Sequence, residues 1–233
     1  MRGGDVQSAQ RLLKSAGYYG GEIDGDFGPL SAQACYRAQY WLGYVTPKQA
    51  FGPSLGKLLS GTARPNPEAV KLIAARKQAA ATQPLREKAL AAMEALVGLA
   101  ETPPGSNHTP EITGWWGKGD IAWCAITVSK AYILAGSTSF SRGTHYQYVP
   151  YIVADARQGR NGLAVTLDPK PGDLVCFDWD GSNFTTGDNH VGMFAAGTAT
   201  NFRTIEGNID SRCGYHDRDA DSAPRIIFVH VSS

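Results

Sequence analysis

Four cysteines offer the most reactive side chains in this sequence, because a thiolate is both a strong nucleophile and a metal ligand. They are widely separated and none belongs to a C-x-x-C pair: Cys35, Cys124, Cys176 and Cys213. This spacing does not indicate a zinc ribbon or a thioredoxin-type redox motif, and four cysteines in 233 residues are too few for a disulfide scaffold. At least one is therefore expected to be present for its reactivity, whereas Cys176 is expected in the core and Cys213 in an exposed polar loop.

Cys124 is the strongest candidate nucleophile, because it lies where a Trp-rich loop enters the apolar segment WCAITVSKAYILAG. The N-terminus of a helix presents unpaired N–H groups and a positive partial charge, and such a site lowers the pKa of a cysteine. The same N–H groups can hydrogen-bond the oxyanion that forms during acyl transfer. Position alone is equally compatible with a small, buried apolar residue.

His190 is the candidate general base, since it begins the apolar segment HVGMFAAG directly after a polar loop. The period of a strand places Thr204, Glu206 and Asn208 of the next segment on one face. Glu206 or Asn208 could accept the imidazole N–H and fix its tautomer, which is the third role of a catalytic triad. Taken singly, a histidine is more often an ordinary surface or core residue, and Glu206 is more often a solvated strand residue.

The elements that must position these residues change in type along the chain. Three short helical segments occupy residues 4–61, with Gly/Asp-rich or Gly/Pro turns between them. Residues 62–84 are rich in Ala and Pro and are interpreted as a linker with a helical middle. From residue 85 onward, helices come first and four short β-rich segments follow: KPGDLVCFDW, HVGMFAAG, RTIEGNI and PRIIFVHV. This order predicts an α+β domain.

The first segment resembles the three-helix peptidoglycan-binding domain called PG-binding type 1. The resemblance rests on the pattern V-x-x-x-Q-x-L-L, D-G-x-F-G-P-x-S, A-x-x-x-x-Q and G-P-x-x-x-x-L, carried here by Val6, Gln10, Leu12, Leu13, Asp24, Gly25, Phe27, Gly28, Pro29, Ser31, Ala34, Gln39, Gly52, Pro53 and Leu58. It implies that residues 1–61 bind bacterial peptidoglycan. The expected contact residues are Tyr19, Asp26 and Gln39.

Residues 85–233 resemble the cysteine/histidine-dependent amidohydrolase/peptidase (CHAP) family. The shared motifs occur in the family's order: G-L-A-E-T, N-x-T-P, W-C-A, P-x-P-G-D-L-V, H-V-G and I-E-G-N. The resemblance implies a papain-like α+β domain with an antiparallel sheet. It also implies Cys124 as nucleophile, His190 as base, and Glu206 with Asn208 as orienting groups; pairing of Cys124 with His108 is the less favoured alternative.

No metal or other cofactor is expected. Some members of this family bind calcium through several Asp residues ahead of the nucleophile, but here that stretch contains only Asp120. Calcium requires about six or more oxygen ligands. A less favoured alternative is a cation in the later loop that carries Asp178, Asp180 and Asp188.

Together, the two resemblances imply a monomeric, phage endolysin-like peptidoglycan hydrolase, either an N-acetylmuramoyl-L-alanine amidase or a peptide endopeptidase. A net charge of +1 argues against nucleic acid as the main partner. Neither a membrane span nor a secretory leader is evident, so we expect host cytoplasm, release through a lesion made by another protein, and then the cell wall. The open alternatives are an inactive wall-binding protein and a cysteine protease that acts on proteins.

Overall fold

The computed structural model describes residues 3–186 and 189–232. The chain divides into two compact units, Met1–Gln83 and Pro84–Ser233. In the described part of the chain, none of the helices combines the length and the apolarity that crossing a bilayer requires.

The first unit is built around three helices, α1 (Gly4–Ser15), α2 (Pro29–Trp41) and α3 (Pro53–Leu59). α2 and α3 each begin with a proline, whose fixed φ suits the first turn of a helix. The helices share one small core, formed by Leu13, Tyr19, Ala34, Cys35, Ala38 and Leu55. The predicted three-helix arrangement of this region is confirmed.

A fourth helix, α4 (Pro67–Thr82), occupies most of the segment interpreted as a linker, residues 62–84. It packs on the three-helix core through Arg76, which donates hydrogen bonds to the carbonyl oxygens of Tyr40 and Tyr44. The Arg76 guanidinium also lies 3.9 Å from the centre of the Tyr40 ring. The helical middle is thus a continuous helix of the first unit rather than a free connection.

The second unit begins with helices and short helical turns. They are α5 (Leu85–Glu94), a π-helical turn (Pro110–Gly114), α6 (Cys124–Ala135), a 3-10 turn (His145–Gln147) and α7 (Val149–Arg157). α6 is apolar along most of its length and nearly every residue of its first two turns is buried. It ends at Gly136, which adopts φ 90°, a left-handed conformation that glycine tolerates without strain.

A six-stranded antiparallel sheet completes the second unit. Its strands are β1 (Leu163–Thr166), β2 (Leu174–Asp178), β3 (Asn189–Gly197), β4 (Asn201–Ile209), β5 (Arg212–Asp219) and β6 (Arg225–Val231). They are arranged in the order β1-β6-β2-β3-β4-β5, and every neighbouring pair is antiparallel. The predicted α+β class with an antiparallel sheet is confirmed. α6 packs against β3 and β4, which brings its N-terminus to the sheet.

Candidate active site

Cys124 is the first residue of α6, and the residue before it, Trp123, has a non-helical backbone conformation. The thiol therefore lies at the positive end of the helix, as its sequence position predicted. The N–H groups of Ala125 and Val191 donate hydrogen bonds to the sulfur. Only 5% of Cys124 is exposed.

His190 is the second residue of β3 and lies opposite Phe177 of β2. Its ring atom Nε2 lies 2.9 Å from Oε2 of Glu206 on the neighbouring strand β4. The ring also hydrogen-bonds the thiol of Cys124. Because Nε2 is engaged by Glu206, Nδ1 is the nitrogen available to the sulfur. The three side chains form a continuous Cys–His–Glu relay.

The electrostatics of the relay favour a thiolate and an imidazolium. Burial alone would raise the pKa of the Cys124 thiol, but the charge and the hydrogen bond of His190 outweigh it and lower that pKa. Burial alone would likewise lower the pKa of His190, but its contacts with Cys124 and Glu206 raise it to about 9. Both shifts favour transfer of the thiol proton from Cys124 to His190.

Glu206 is completely buried, and it is surrounded by donors. Arg218 on β5 donates to both carboxylate oxygens, at 2.9 Å and 2.7 Å, and the Thr204 hydroxyl donates to Oε1. Burial acts to raise the pKa of Glu206, but the bonds from Arg218, His190 and Thr204 hold it well below its usual range. The carboxylate is therefore ionised throughout the pH range in which His190 gains or loses its proton.

Two glycines make the close approach of these elements possible. A Cβ on Gly192 would lie 2.6 Å from Cγ of Glu206, so a side chain there would displace the carboxylate. A Cβ on Gly207 would lie 2.3 Å from Oγ1 of Thr127 in α6. The glycines of the H-V-G and E-G-N motifs thus keep β3 close to β4 and β4 close to α6.

Two tryptophans border the relay. The half-buried ring of Trp179 stacks on His190, with 4.7 Å between ring centres and 6° between planes. The buried Trp123 donates its indole N–H to Oε1 of Glu101, at 2.9 Å. Trp179 therefore restricts rotation of the imidazole, and Trp123 fixes the backbone immediately before Cys124.

The structure brings Cys124, His190 and Glu206 together but places Asn208 differently. Asn208 is half-buried with φ 65°, at the irregularity in β4–β5 pairing between Glu206 and Ile209. The ring nitrogen Nε2 of His190 bonds Glu206, which assigns the orienting contact to that carboxylate. An orienting role for Asn208 stays a prediction.

The remaining thiols do not share the environment of Cys124. Cys35, Cys176 and Cys213 are buried and unpaired, and burial raises the pKa of each, to about 12 for Cys35 and Cys213. The expectation of an exposed Cys213 is wrong, because this residue points inward from β5. His108 is half-exposed and lies 3.4 Å from Asp120, and Cys124 pairs with His190 instead.

The alternative cation loop is only partly described. Asp178 is buried and accepts from the N–H of Asn183, while Asp180 accepts from the N–H of Ser182. Asp188 lies outside the described residues. Among residues 3–186 and 189–232, no group of three or more His, Cys, Asp or Glu side chains is placed to share a metal ion. Metal-free chemistry stays a prediction.

The three predicted wall-contacting residues occupy different environments in the first unit. Tyr19 is buried in the core, and its hydroxyl donates to the carbonyl oxygen of Glu22. Gln39 is also buried, and its amide bonds the backbone of Lys48 and Ala50. These two side chains hold loops in place, and their burial does not support direct contact with a polymer. Asp26 is half-buried.

Comparison with known proteins bears on the first unit. Residues 2–54 match the model of a family described as a peptidoglycan binding domain. No curated protein matches the chain. The chain therefore carries a peptidoglycan-binding domain at its N-terminal end, which supports a role at the bacterial cell wall.

Proposed function

We propose that this protein hydrolyses an amide bond of bacterial peptidoglycan, with Cys124 as the nucleophile. The observation that carries the proposal is the buried relay in which the Cys124 thiol, at a helix N-terminus, meets His190, itself bonded to Glu206. The matched peptidoglycan-binding domain supports the choice of substrate over a soluble protein. The resemblance of the second unit to the CHAP family points to the same chemistry.

The proposed reaction has two stages. The Cys124 thiolate attacks the amide carbon, and the oxyanion is stabilised by backbone N–H groups at the start of α6. His190 then gives its proton to the leaving amine, the C–N bond breaks, and a thioester remains on Cys124. His190, now neutral, takes a proton from water, whose oxygen attacks the thioester. The acid product leaves and the thiolate–imidazolium pair is restored.

The proposed hydrolase could cut either of two kinds of amide bond, as an N-acetylmuramoyl-L-alanine amidase or as a peptide endopeptidase. We place the enzyme in the setting of a phage endolysin, acting on the wall after release from the host cytoplasm. Mass spectrometry of fragments from walls of defined composition distinguishes the two bonds. A new amino group on the alanine released from muramic acid, with a new carboxyl group on the muramic acid, indicates the amidase, whereas new termini within the stem or cross-bridge indicate the endopeptidase.

The decisive variant is Cys124→Ala. We expect loss of wall lysis by at least about a thousandfold, because one thiolate performs all the covalent chemistry. Co-sedimentation with walls should be unchanged. Cys213→Ala is the control for loss of a buried thiol, since Cys213 lies on β5 and burial keeps it neutral by raising its pKa. Lysis by Cys124→Ala within tenfold of the parent refutes the assignment, and cleavage of casein without cleavage of walls refutes the substrate.

A further inference from the structure

Arg218 makes two hydrogen bonds to the relay from outside it. From β5, its Nε donates to Oε1 of Glu206 at 2.9 Å and its Nη2 donates to Oε2 at 2.7 Å. This two-pronged geometry fixes the plane of the carboxylate as well as its position. The Arg218 side chain is 21% exposed, while Glu206 is fully buried, so the guanidinium covers the carboxylate on its outer side.

The carboxylate oxygen that faces His190 is shared with Arg218. Oε2 of Glu206 lies 2.9 Å from Nε2 of His190 and 2.7 Å from Nη2 of Arg218. For a buried carboxylate with one cationic partner, the cost of removing its charge from water is similar in size to the attraction of that partner. A second cationic partner makes the ionised form the more stable one. The charges then alternate along the line from Cys124 to Arg218.

We propose that Arg218 is a positioning residue of the active site, which holds Glu206 ionised and aimed at His190 and thereby stabilises the thiolate of Cys124. Without Arg218, the buried site would contain two negative groups, the thiolate and the carboxylate, and only one positive group, the imidazolium. That excess charge is removed most simply by protonating the sulfur. The catalytic consequence rests on the proposed function, whereas the effect on the thiol does not.

The other ionisable groups near this line act less directly. Cys176 on β2 interacts with Cys124, and Cys213 on β5 interacts with Glu206, but burial keeps both thiols neutral by raising the pKa of each. Asp210, in the β4–β5 turn, attracts Arg218 weakly, after Glu206 itself. The face of Phe177 lies 5.5 Å from the guanidinium. Arg218 is therefore the cation that balances Glu206 on the side away from His190.

The same two strands contain a matched control. Arg203 of β4 donates to Asp217 of β5 with a similar fork, at 2.8 Å and 3.0 Å. Both partners are exposed, with side-chain exposures of 54% and 76%. An ion pair of this kind contributes little to stability. Replacing Arg203 removes the same side chain from the β4–β5 ladder without touching the relay.

The test measures how the rate of Cys124 alkylation by iodoacetamide depends on pH, using the full-length chain. Mass spectrometry of the peptide that contains Cys124 reports the modification. We expect Arg218→Gln to raise the midpoint of the rate by about half a pH unit or more. Arg218→Lys should raise it by a smaller, measurable amount because it retains the charge but not the fork. Arg203→Gln should leave the midpoint unchanged.

The outcomes separate this proposal from the proposed function. Circular dichroism identifies the variants that fold. If Arg218→Gln does not fold, the alkylation midpoint of Arg218→Lys is compared with that of the parent instead. Midpoints equal to the parent's in folded Arg218 variants overturn the positioning role. Shifted midpoints in a protein that lyses no walls overturn the proposed function but leave the positioning role standing. Where walls are lysed, the acidic limb of the lysis rate should shift with the alkylation midpoint.

Discussion

At the residue scale, the lowered pKa of Cys124 comes from its neighbours and not from the thiol itself. The chain contains four thiols, and burial raises the pKa of the other three. Cys124 is as buried as they are, yet its pKa is lowered, because His190 supplies a positive charge and a hydrogen bond. Burial alone thus does not distinguish an inert cysteine from a nucleophilic one; the position of one imidazole does.

The pH dependence of wall lysis follows from the same pair. Activity requires the thiolate, so it should fall as the pH drops through the lowered pKa of Cys124. It also requires a proton on His190 for the leaving amine, so it should fall as the pH rises through about 9. The expected profile is a bell whose alkaline limb lies near pH 9. Initial rates of turbidity loss in buffers of constant ionic strength measure it.

A profile with an alkaline limb near the ordinary histidine pKa of about 6.5 would contradict the raised pKa of His190. The apparent pKa that each limb of the profile reports is a property of the coupled Cys124–His190 pair rather than of either residue alone. Circular dichroism at each pH provides the control, because loss of structure and loss of the ion pair would otherwise look alike.

Residue types and spacing left the roles of Cys124, His190 and Glu206 open, and the resemblance to the CHAP family, carried by short motifs, implied the set that the structure brings together. Neither the residues nor the resemblance predicted Arg218 or Trp179, because these side chains reach the relay through strand pairing and ring stacking, which none of the short motifs records. For Asn208, the strand period predicted a position that the structure does not have. The period of two that placed it beside Glu206 is interrupted where the pairing of β4 with β5 becomes irregular.

At the scale of elements, the contact between α6 and β4 depends on the absence of a side chain at Gly207. We expect Gly207→Ala to destabilise the second unit by about 1–3 kcal/mol, because a well-packed contact must open to admit the methyl group. A Cβ there would lie 2.3 Å from Oγ1 of Thr127 and 2.9 Å from the Trp123 ring. Wall lysis should fall as well, since Trp123 precedes the nucleophile. Urea denaturation and turbidity loss measure the two effects.

Gly214→Ala on β5 is the control for this change. A Cβ on Gly214 would meet only the ring of His216, at 3.9 Å, which is an ordinary contact. This substitution should be neutral or stabilise by about 0.5 kcal/mol, because alanine loses less conformational freedom than glycine. Equal effects of the two substitutions would show that Gly207 has no special packing role.

The sequence patterns predicted four strands, β2, β3, β4 and β6, and did not predict β1 or β5. β5 is formed by the polar segment RCGYHDRD, in which exposed side chains alternate with partly or fully buried ones. β1 spans four residues at the edge of the sheet. Apolar runs reveal strands that are covered on both faces, whereas edge strands carry too little apolar sequence to be distinguished from loops.

At the scale of the whole molecule, α4 belongs to the wall-binding unit, so a fragment of residues 1–83 should be more stable than one of residues 1–61. Arg76 supplies the difference through its bonds to Tyr40 and Tyr44. We expect the melting temperature of the longer fragment to be higher by about 5 °C or more. Both fragments that fold should co-sediment with purified walls. Differential scanning calorimetry and pelleting assays measure these outcomes.

Two substitutions in the longer fragment test the reason. Arg76→Ala should lower the melting temperature toward that of the shorter fragment, whereas Lys77→Ala, at an exposed position on the same helix, should have little effect. Equal melting temperatures for the two fragments would show that residues 62–83 do not stabilise the first unit and act only as a linker. Failure of a folded fragment to pellet with walls that retain the full chain would exclude this unit as the anchor.

The strand order also matters while the chain is being made. β6 (Arg225–Val231) pairs with both β1 and β2, so β2 keeps an open edge until residues 225–231 have left the ribosome. The wall-binding unit, in contrast, is contained in the first 83 residues and can fold while the rest is being translated. A nascent chain can therefore hold a folded first unit before the sheet that carries His190 and Glu206 is complete. The proposed hydrolytic activity would then appear only after residues 225–231 are made, and shorter chains would bind walls without cutting them.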